Sequence, residues 1–383
     1  MEQKLVVFDP GIETWMSNNI FNVEFARKNP GASAWPVLAE LLKNQGIEIE
    51  TIDCFLSRKS VANKNVCLLV MVSKITDSTL YVIKNRLAYP GIGICLEPPL
   101  IALDFYHDLS KYSSIFRHIY AFSGAFSRID QAKCVFHSIV WPYDPSTNLL
   151  QSEWSTRKFL TLINSNRRAQ INLTPEFNVR HFRSSFKAIR DHKKFRSEFL
   201  DDPWIGEELY LKRIEAIRFF ANDLTIDLYG YGWDKPVLGV SKAHNFAIAQ
   251  TYKGMIPAGQ KLNILKNYKF CICFENSSFP GYITEKILDC FYAGVIPIYL
   301  GAPDIDKYIP KDTFIDFRDF ATFDVLNKYL RELSINEAEN YLNAQKIFIK
   351  SKEFNKFNSD LLAQDMVRSI NEVFLRDDPL NGI

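Results

Sequence analysis

Seven polar residues whose side chains suit a nucleotide lie close together between two short apolar runs. They are Glu275, Asn276, Ser277, Tyr282, Thr284, Glu285 and Lys286. An ammonium group suits a phosphate, and a carboxylate suits the hydroxyl groups of a ribose. Adjacent residues of a helix point about 100° apart, so Lys286 can meet a diphosphate while Glu285 meets the ribose. One interpretation of these residues is therefore a binding site for a nucleoside diphosphate.

A strand, a helix and a second strand are predicted to position these side chains. Lys269 to Phe274 is an apolar run typical of a buried strand, and Val295 to Leu300 is a second one. Between them, Thr284 to Ala293 carries apolar residues at helical spacing, and Gly294 is placed to end the helix. Such a unit builds a parallel sheet, whose ligands lie at the carboxyl ends of the strands. The polar residues fall at that end, where the helix N-terminus adds an anion site.

A simpler interpretation of the same helix start assigns it no ligand. Glu285 then complements the helix dipole, and Lys286 is a solvated surface lysine. Helix propensity alone would not choose a cation in the first turn, because the dipole disfavours it slightly there. The residue types by themselves leave both interpretations open.

The order of the residues is more specific than their types. The stretch contains FENS at 274–277, GYITEKI at 281–287, PIYLGAP at 297–303 and YIP at 308–310. This spelling resembles the donor-binding segment of the glycosyltransferase family 10 fucosyltransferases. The resemblance implies an α/β protein of the GT-B fold, in which two Rossmann-like doubly wound domains face a cleft and the second domain binds GDP-fucose.

The same resemblance implies roles for individual residues. The implied donor-binding residues are Asn166, Arg213, Glu275, Asn276, Ser277, Tyr282, Thr284, Glu285 and Lys286. Asn166 follows an apolar run that looks like the first strand of the donor domain. Arg213 takes the position of a family arginine, and a planar guanidinium can donate two parallel hydrogen bonds to a diphosphate. Arg218 is the competing candidate, and in the simpler interpretation either arginine is a surface charge.

Glu97 is the candidate catalytic base. It directly follows a predicted strand, and the proline after it holds its backbone extended. On residue type alone, Glu97 is a loop acid that caps or solvates a turn. The resemblance implies the base role, because the family places a catalytic glutamate at a similar point before a polar and aromatic run. Asp104 in that run is the next candidate, and the polar loop Pro10 to Asn22 is predicted to help bind the acceptor sugar.

The first half of the chain alternates apolar strands with helices, which is the pattern of a doubly wound sheet. No G-x-G-x-x-G follows the first strand, so no dinucleotide site is indicated there. Pro142 to Asn148 is polar, contains two prolines and is predicted to link the domains. We expect an acceptor-binding domain at 1–148, a GDP-sugar-binding domain at 149–355 and, at 356–383, a helix that packs back on the first domain.

Composition and charge narrow the class of protein. The 383 residues are 47% hydrophobic and 23% charged, as in ordinary globular proteins, and a net charge of +2 is too small to indicate a nucleic acid partner. No apolar run approaches the length of a membrane span, and Met1 leads straight into a predicted strand rather than a signal peptide. Most of the seven cysteines lie in apolar runs, which suits reduced core thiols and a cytoplasmic protein.

The segment 180–196 is strongly basic. A charge run of this kind is usually a solvated helix face. The sharper alternative is attraction to an anionic lipid surface or a lipid-linked acceptor, which would place the protein peripherally on the inner face of a membrane.

No metal or cofactor is expected. Metal-dependent transfer on the alternative GT-A fold needs an Asp-x-Asp after an early strand. The only such tripeptide, Asp304 to Asp306, follows a Gly-Ala-Pro turn and has no nucleotide-binding context. Lys286, Arg213 and the helix N-terminus would replace a metal by stabilising the departing diphosphate.

These expectations combine into an inverting, metal-independent transferase that moves fucose from GDP-fucose to a hydroxyl group, predicted to be O3, of a GlcNAc- or glucose-type sugar in a surface oligosaccharide or glycolipid. Glu97 takes the acceptor proton, while Lys286 and Arg213 meet the leaving group. One alternative is a GT-B enzyme that uses another nucleotide sugar. Another is a non-catalytic nucleotide- or glycan-binding protein on the same fold, against which the presence of both Glu97 and Lys286 argues.

Overall fold

The computed structural model contains two α/β domains, each built on a parallel sheet. It describes residues 3–28, 31–58, 64–73, 75–144, 149–150, 152–166, 203–237 and 240–375. The basic segment 180–196 and the last residues of the predicted linker, 145–148, lie outside the described residues.

The first domain has a six-stranded parallel sheet in the order β2-β1-β3-β4-β5-β6. Its strands are β1 (Gln3–Asp9), β2 (Glu48–Thr51), β3 (Lys64–Met71), β4 (Tyr89–Ile94), β5 (His118–Ala121) and β6 (Val135–Ser138). Its helices are α1 (Val23–Lys28), α2 (Ala34–Asn44), α3 (Ile52–Leu56), α4 (Asp77–Lys84), α5 (Leu103–His107) and α6 (Leu109–Ile115). The central strands are apolar on both faces because apolar clusters cover both faces of the sheet.

The second domain has a five-stranded parallel sheet in the order β13-β12-β10-β7-β9. Its strands are β7 (Lys158–Ile163), β9 (Ile226–Tyr229), β10 (Tyr268–Phe274), β12 (Ile296–Leu300) and β13 (Ile315–Asp316). A short antiparallel pair joins β8 (Glu207–Glu208) to β11 (Ser277–Ser278). The helices are α7 (Tyr210–Ala221), α8 (Lys242–Thr251), α9 (Lys261–Leu265), α10 (Glu285–Tyr292), α11 (Phe323–Glu332) and α12 (Ile335–Ile349).

The strand order of the second sheet reverses between β7 and β10. The strand that follows β7 in this sheet lies on one side of it, whereas β10 and the later strands lie on the other. The loops that leave two such strands diverge and open a crevice at their carboxyl ends, which is where doubly wound sheets bind ligands. This point is called the donor switch point below.

A last helix, α13 (Ser359–Phe374), packs back on the first domain. Its apolar face lies in the same buried cluster as α2 and β3. The carboxylate of Asp365 on this helix accepts a hydrogen bond from the hydroxyl of Tyr120 at 3.0 Å and lies 3.0 Å from His137 Nδ1. Because α13 follows the second domain in the chain, this packing ties the two domains together.

A loop of the second domain also inserts into the first. Phe279 and Tyr282 are fully buried among apolar residues of the first domain. Gly124 N donates a hydrogen bond to Pro280 O at 3.1 Å. Gly281 has a φ of +76°, and a Cβ there would lie 2.9 Å from the backbone nitrogen of Ser123, so a glycine is required for this close approach.

In the part of the chain that the structure describes, no helix has both the length and the apolar character that crossing a membrane requires. All seven cysteines are free thiols, and all except Cys54 are buried. The predicted core positions of Cys67, Cys95, Cys134, Cys271 and Cys273 agree with this burial.

Candidate active site

Glu275 is the first residue after β10 and is completely buried. Its Oε1 accepts a hydrogen bond from Thr284 N at 2.8 Å and another from Thr284 Oγ1 at 2.9 Å. Thr284 is the residue before α10, so the carboxylate of Glu275 caps that helix from across the turn. The helix ends at Tyr292, and Gly294 two residues later has a φ of +63°, which suits glycine.

Lys286 is clamped at this helix start. Its Nζ donates to Glu275 Oε2 at 2.9 Å and to Thr284 Oγ1 at 2.7 Å. It also lies 4.0 Å from Glu285 Oε1. Burial alone would lower the pKa of the Lys286 ammonium, but the charges of Glu275 and Glu285 outweigh it and raise that pKa. Lys286 is therefore charged at neutral pH and held at one place.

Glu285 is held between two lysines. Lys261 Nζ, from the short helix α9, lies 4.0 Å from Glu285 Oε1 and 2.6 Å from Asp289 Oδ2. Burial would raise the pKa of Glu285, but Lys286 and Lys261 lower it. The sequence argument missed Lys261. It precedes β10 by several residues, and no contiguous motif connects it to the helix that it contacts.

Arg213, on α7, is buried directly behind the end of β10. Its guanidinium donates to Phe274 O at 3.1 Å and 2.6 Å, and to Asn276 Oδ1 at 3.0 Å. Its Nη1 is buried and has no hydrogen-bond partner among the described residues. The competing Arg218 lies on the exposed side of the same helix. Of the two arginines, only Arg213 therefore lies behind the donor switch point.

Asn276 links this arginine to the domain interface. Its amide nitrogen donates to the hydroxyl of Tyr282 at 3.1 Å. Asn166, which follows β7 on the other side of the donor switch point, donates from Nδ2 to Gly232 O at 3.1 Å and from N to Tyr231 O at 2.8 Å. Asn166 thus fixes the turn after β9.

Burial divides the predicted donor residues into two groups. Five are almost completely buried: Arg213, Glu275, Ser277, Tyr282 and Thr284. Four are half-buried and accessible to a ligand: Asn166, Asn276, Glu285 and Lys286. The donor-binding role of all nine stays a prediction. Sequence order shows that residues belong to one turn but not which of them reach its surface.

Glu97 belongs to the first domain and lies near the inserted loop of the second domain, which carries Phe279 and Tyr282. It is half-buried in the turn after β4. Burial raises the pKa of the Tyr282 hydroxyl well above its usual range, and the negative charge of Glu97 adds to that effect. The carbonyl oxygen of Glu97 accepts a hydrogen bond from the hydroxyl of Tyr106, whose ring packs against Phe279 of the inserted loop. Asp104 is exposed in the first turn of α5.

The Asp304-Ile-Asp306 tripeptide has a structural use. Asp304 Oδ1 accepts a hydrogen bond from Gly281 N at 2.8 Å and so holds the inserted loop, while Asp306 is exposed. Among the described residues, no group of three or more His, Cys, Asp or Glu side chains is arranged to hold a metal ion.

A cavity of about 520 Å³ lies elsewhere, between the residues that follow β6 and the start of α13. Its lining includes Tyr308, Lys352 and Asp365 but none of the predicted donor residues. The candidate site is therefore identified by its charged residues at the donor switch point and not by this cavity.

Comparison with known proteins points to the part of the chain that contains the candidate site. Residues 204–359 match the family model described as glycosyltransferase family 10 (fucosyltransferase), C-terminal part. The alpha-(1,3)-fucosyltransferase FucT of Helicobacter pylori is 32% identical over 131 residues, which cover 30% of this chain and 27% of that protein. The human 4-galactosyl-N-acetylglucosaminide 3-alpha-L-fucosyltransferase 9 is 37% identical over 100 residues, covering 25% of this chain and 26% of the relative. The matched segments span about a quarter of these relatives.

Solved structures extend the likeness to nearly the whole chain. A crystal structure of an alpha1,3-fucosyltransferase aligns over 98% of this chain and 91% of that chain, with a TM-score of 0.50 and 15% identity. HepE of Anabaena in complex with UDP aligns over 97% and 100%, with a TM-score of 0.53 and 10% identity. At these identities the likeness shows the fold alone. The predicted GT-B fold is confirmed.

Proposed function

We propose that the chain transfers fucose from GDP-fucose to a hydroxyl group of a GlcNAc- or glucose-type acceptor, because residues 204–359 match the family model of the glycosyltransferase family 10 fucosyltransferases. The transfer inverts the anomeric carbon, and the acceptor position is O3. The acceptor sugar belongs to a surface oligosaccharide or a glycolipid.

The observation that carries this proposal is the clamped Lys286 at the donor switch point. An ammonium has three donors, and Glu275 and Thr284 take two of them in fixed directions. Its neighbour Glu285 is also charged and half-buried. A cation and a carboxylate at the edge of one crevice suit a ligand with phosphates at one end and vicinal hydroxyls at the other. A nucleoside diphosphate sugar has that form.

The chemistry divides between the two domains. Glu97 accepts the proton of the acceptor hydroxyl as its oxygen bonds to the anomeric carbon of fucose. The bond between that carbon and the phosphate oxygen breaks, and GDP leaves with the electron pair. Lys286 stabilises the charge that grows on the diphosphate, which is where a fixed cation lowers the barrier most.

Arg213 acts from behind the site. It is buried, so its contribution is its positive charge and its hold on Phe274 O and Asn276. Charges in a buried setting are less screened by water than surface charges. The inserted residues Phe279 and Tyr282 add an apolar wall, which excludes water from the side of the cleft that they cover.

The test is a turnover assay with purified protein, GDP-fucose and a panel of GlcNAc- and glucose-terminated acceptors. GDP release should require an acceptor, and the acceptor should gain the mass of one deoxyhexose. Faster turnover of a UDP- or dTDP-sugar would show that the transferred sugar is not fucose. GDP binding without release of GDP from GDP-fucose would show a non-catalytic binding protein.

Transfer should continue in excess EDTA, because the proposed leaving-group stabilisation comes from Lys286 and Arg213. The same assay with and without chelator measures this directly. Activity that disappears with EDTA and returns with Mn²⁺ would contradict a metal-independent reaction.

A further inference from the structure

The turn that carries Glu97 is held through its backbone. The hydroxyl of Tyr106, on α5, donates a hydrogen bond to Glu97 O at 3.0 Å. The thiol of Cys95 contacts the same oxygen at 3.4 Å. Tyr106 is 1% exposed, and burial raises the pKa of its hydroxyl well above the usual range, so the group remains a donor at any working pH.

The ring of Tyr106 contacts the other domain. Its centroid lies 5.5 Å from that of Phe279 at an interplanar angle of 79°, an edge-to-face pair. A second aromatic residue outside the first domain, Trp204, lies 5.8 Å away and donates from Nε1 to Gly124 O at 2.9 Å. Phe279 is fully buried. Tyr106 therefore contacts the turn of Glu97 through its hydroxyl group and the Phe279 loop of the second domain through its ring.

The same loop continues to the donor residues. Phe279 and Tyr282 are its two buried aromatic residues, and the Tyr282 hydroxyl accepts from Asn276. Asn276 in turn accepts from Arg213. An unbroken line of packed or hydrogen-bonded groups therefore runs from the Glu97 turn to the cation behind the donor switch point.

We propose that Tyr106 is a positioning residue, which fixes the Glu97 turn against the Phe279 loop so that the base reaches its working place only when the two domains are docked. This inference rests on the proposed function, in which Glu97 is the base. It adds a residue that touches neither substrate and acts through Glu97.

The expected effect follows from geometry. A displacement of a catalytic group by about 1 Å can cost on the order of 10²-fold in rate. Tyr106→Phe keeps the ring against Phe279 and removes only the hydroxyl, so the turn loses one of its two anchors. We expect kcat to fall by about 5- to 50-fold, which is part of that range, while the KM for GDP-fucose and the Kd for GDP stay unchanged.

Tyr112→Phe is the matched control. Tyr112 is also buried in this aromatic cluster, with its ring 5.4 Å from Phe105, but it makes no described contact with Glu97. Removal of the Tyr112 hydroxyl should leave kcat near that of the wild type. The melting temperatures of Tyr106→Phe and Tyr112→Phe measure how much each substitution changes the stability of the protein.

A double variant separates positioning from structure. If Tyr106 acts through Glu97, adding Tyr106→Phe to Glu97→Gln should cause little further loss of the residual GDP release, because the two effects are not independent. A full additional loss in the double variant, or a kcat for Tyr106→Phe equal to that of Tyr112→Phe, would overturn the inference. Wild-type protein that does not turn over GDP-fucose at all would instead overturn the proposed function, and this inference with it.

Phe279→Leu tests the contact from the donor side, in case Tyr106→Phe does not fold. It shortens the aromatic contact but keeps the loop apolar. A kcat lowered by about 5-fold or more, with an unchanged Kd for GDP, supports the coupling. An unchanged kcat in folded Phe279→Leu overturns it.

Discussion

The two domains use their topological switch points differently. In the second domain, the turns after β7 and β10 hold Asn166 and Glu275, and the charged residues of the candidate site gather around them. In the first domain, the corresponding point lies after β1 and β3. There Asp9 is completely buried, and its carboxylate accepts hydrogen bonds from the hydroxyls of Thr76 and Thr79.

This difference separates two ways of building a site. The donor cation is fixed by charge pairs within one domain, close to β10 and the start of α10. The candidate base follows β4, one strand away from the first domain's switch point, and is anchored by its backbone and by contacts between the domains. Donor binding should therefore tolerate changes at the interface, whereas turnover should not.

The largest expected effect is that of Glu97→Gln on turnover. A positioned general base contributes about 10²–10⁴-fold, and glutamine keeps the size of glutamate without its basicity. We expect kcat to fall by about 10²-fold or more, with the Kd for GDP unchanged. Steady-state kinetics and calorimetric titration of GDP measure the two quantities separately.

Asp104→Asn is the control, because Asp104 is the other carboxylate of this stretch and is exposed. It should leave kcat nearly normal. Near-normal transfer by Glu97→Gln, combined with a large loss in Asp104→Asn, would move the base to Asp104 and remove the asymmetry between the domains.

Lys286→Ala should affect both binding and turnover. A hydrogen bond to a charged group contributes about 1.5–3 kcal/mol, so the Kd for GDP should rise by roughly 10- to 150-fold. The variant also leaves the buried carboxylate of Glu275 without its cationic partner, which is strongly destabilising. The melting temperature should therefore fall by several degrees.

Adding Glu275→Gln to Lys286→Ala distinguishes these two effects. The double variant removes the unpaired buried charge, so much of the lost stability should return, while the GDP affinity should stay low. Lys307→Ala, an exposed lysine after β12, is the control for simple loss of charge. Recovery of GDP affinity in the double variant would mean that Lys286 serves the fold rather than the donor.

The sequence predicts the segment from β10 to β12 well, because the signals for these elements are local. The apolar runs of β10 and β12, the helical spacing between them and Gly294 all concern neighbours in the chain, and the structure has these elements within one or two residues. Lys261 could not be found in this way. Its partners Glu285 and Asp289 lie on another helix, and only tertiary packing brings them together.

Local patterns also could not show which polar residues of this turn are exposed. Glu275 and Ser277 have the residue types of a binding site, yet both are 0% exposed. The short pairing of β8 with β11 covers this turn, and two-residue strands leave no periodic signal. The insertion of Phe279 and Tyr282 into the first domain likewise depends on contacts between distant segments.

The smallest expected effect concerns the attachment of α13. Hydrogen bonds from His137, Arg368 and Tyr120 hold the pKa of Asp365 far below its usual value despite partial burial. A depressed folded-state pKa stabilises the protein above the unfolded value, near 4, and this stability is lost as the pH falls further. Asp365→Asn should lower the melting temperature by about 2–4 °C at pH 7 and by less at pH 3.5.

Differential scanning fluorimetry at the two pH values measures this effect, with the exposed Asp306→Asn as the control. The Kd for GDP should not change, because α13 packs on the first domain. An equal penalty at both pH values would show that the charge of Asp365 is not what holds the helix.

The central claim is that the second domain binds GDP through the clamped Lys286, and nucleotide-dependent melting tests it most directly. Ligand at about 100 times its Kd stabilises a protein by about 2.7 kcal/mol, so GDP should raise the melting temperature clearly above that with UDP, dTDP or CMP. The Lys286→Ala, Glu275→Gln double variant should lose this increase. Equal or greater stabilisation by UDP, or a GDP effect that survives in the double variant, would contradict the account.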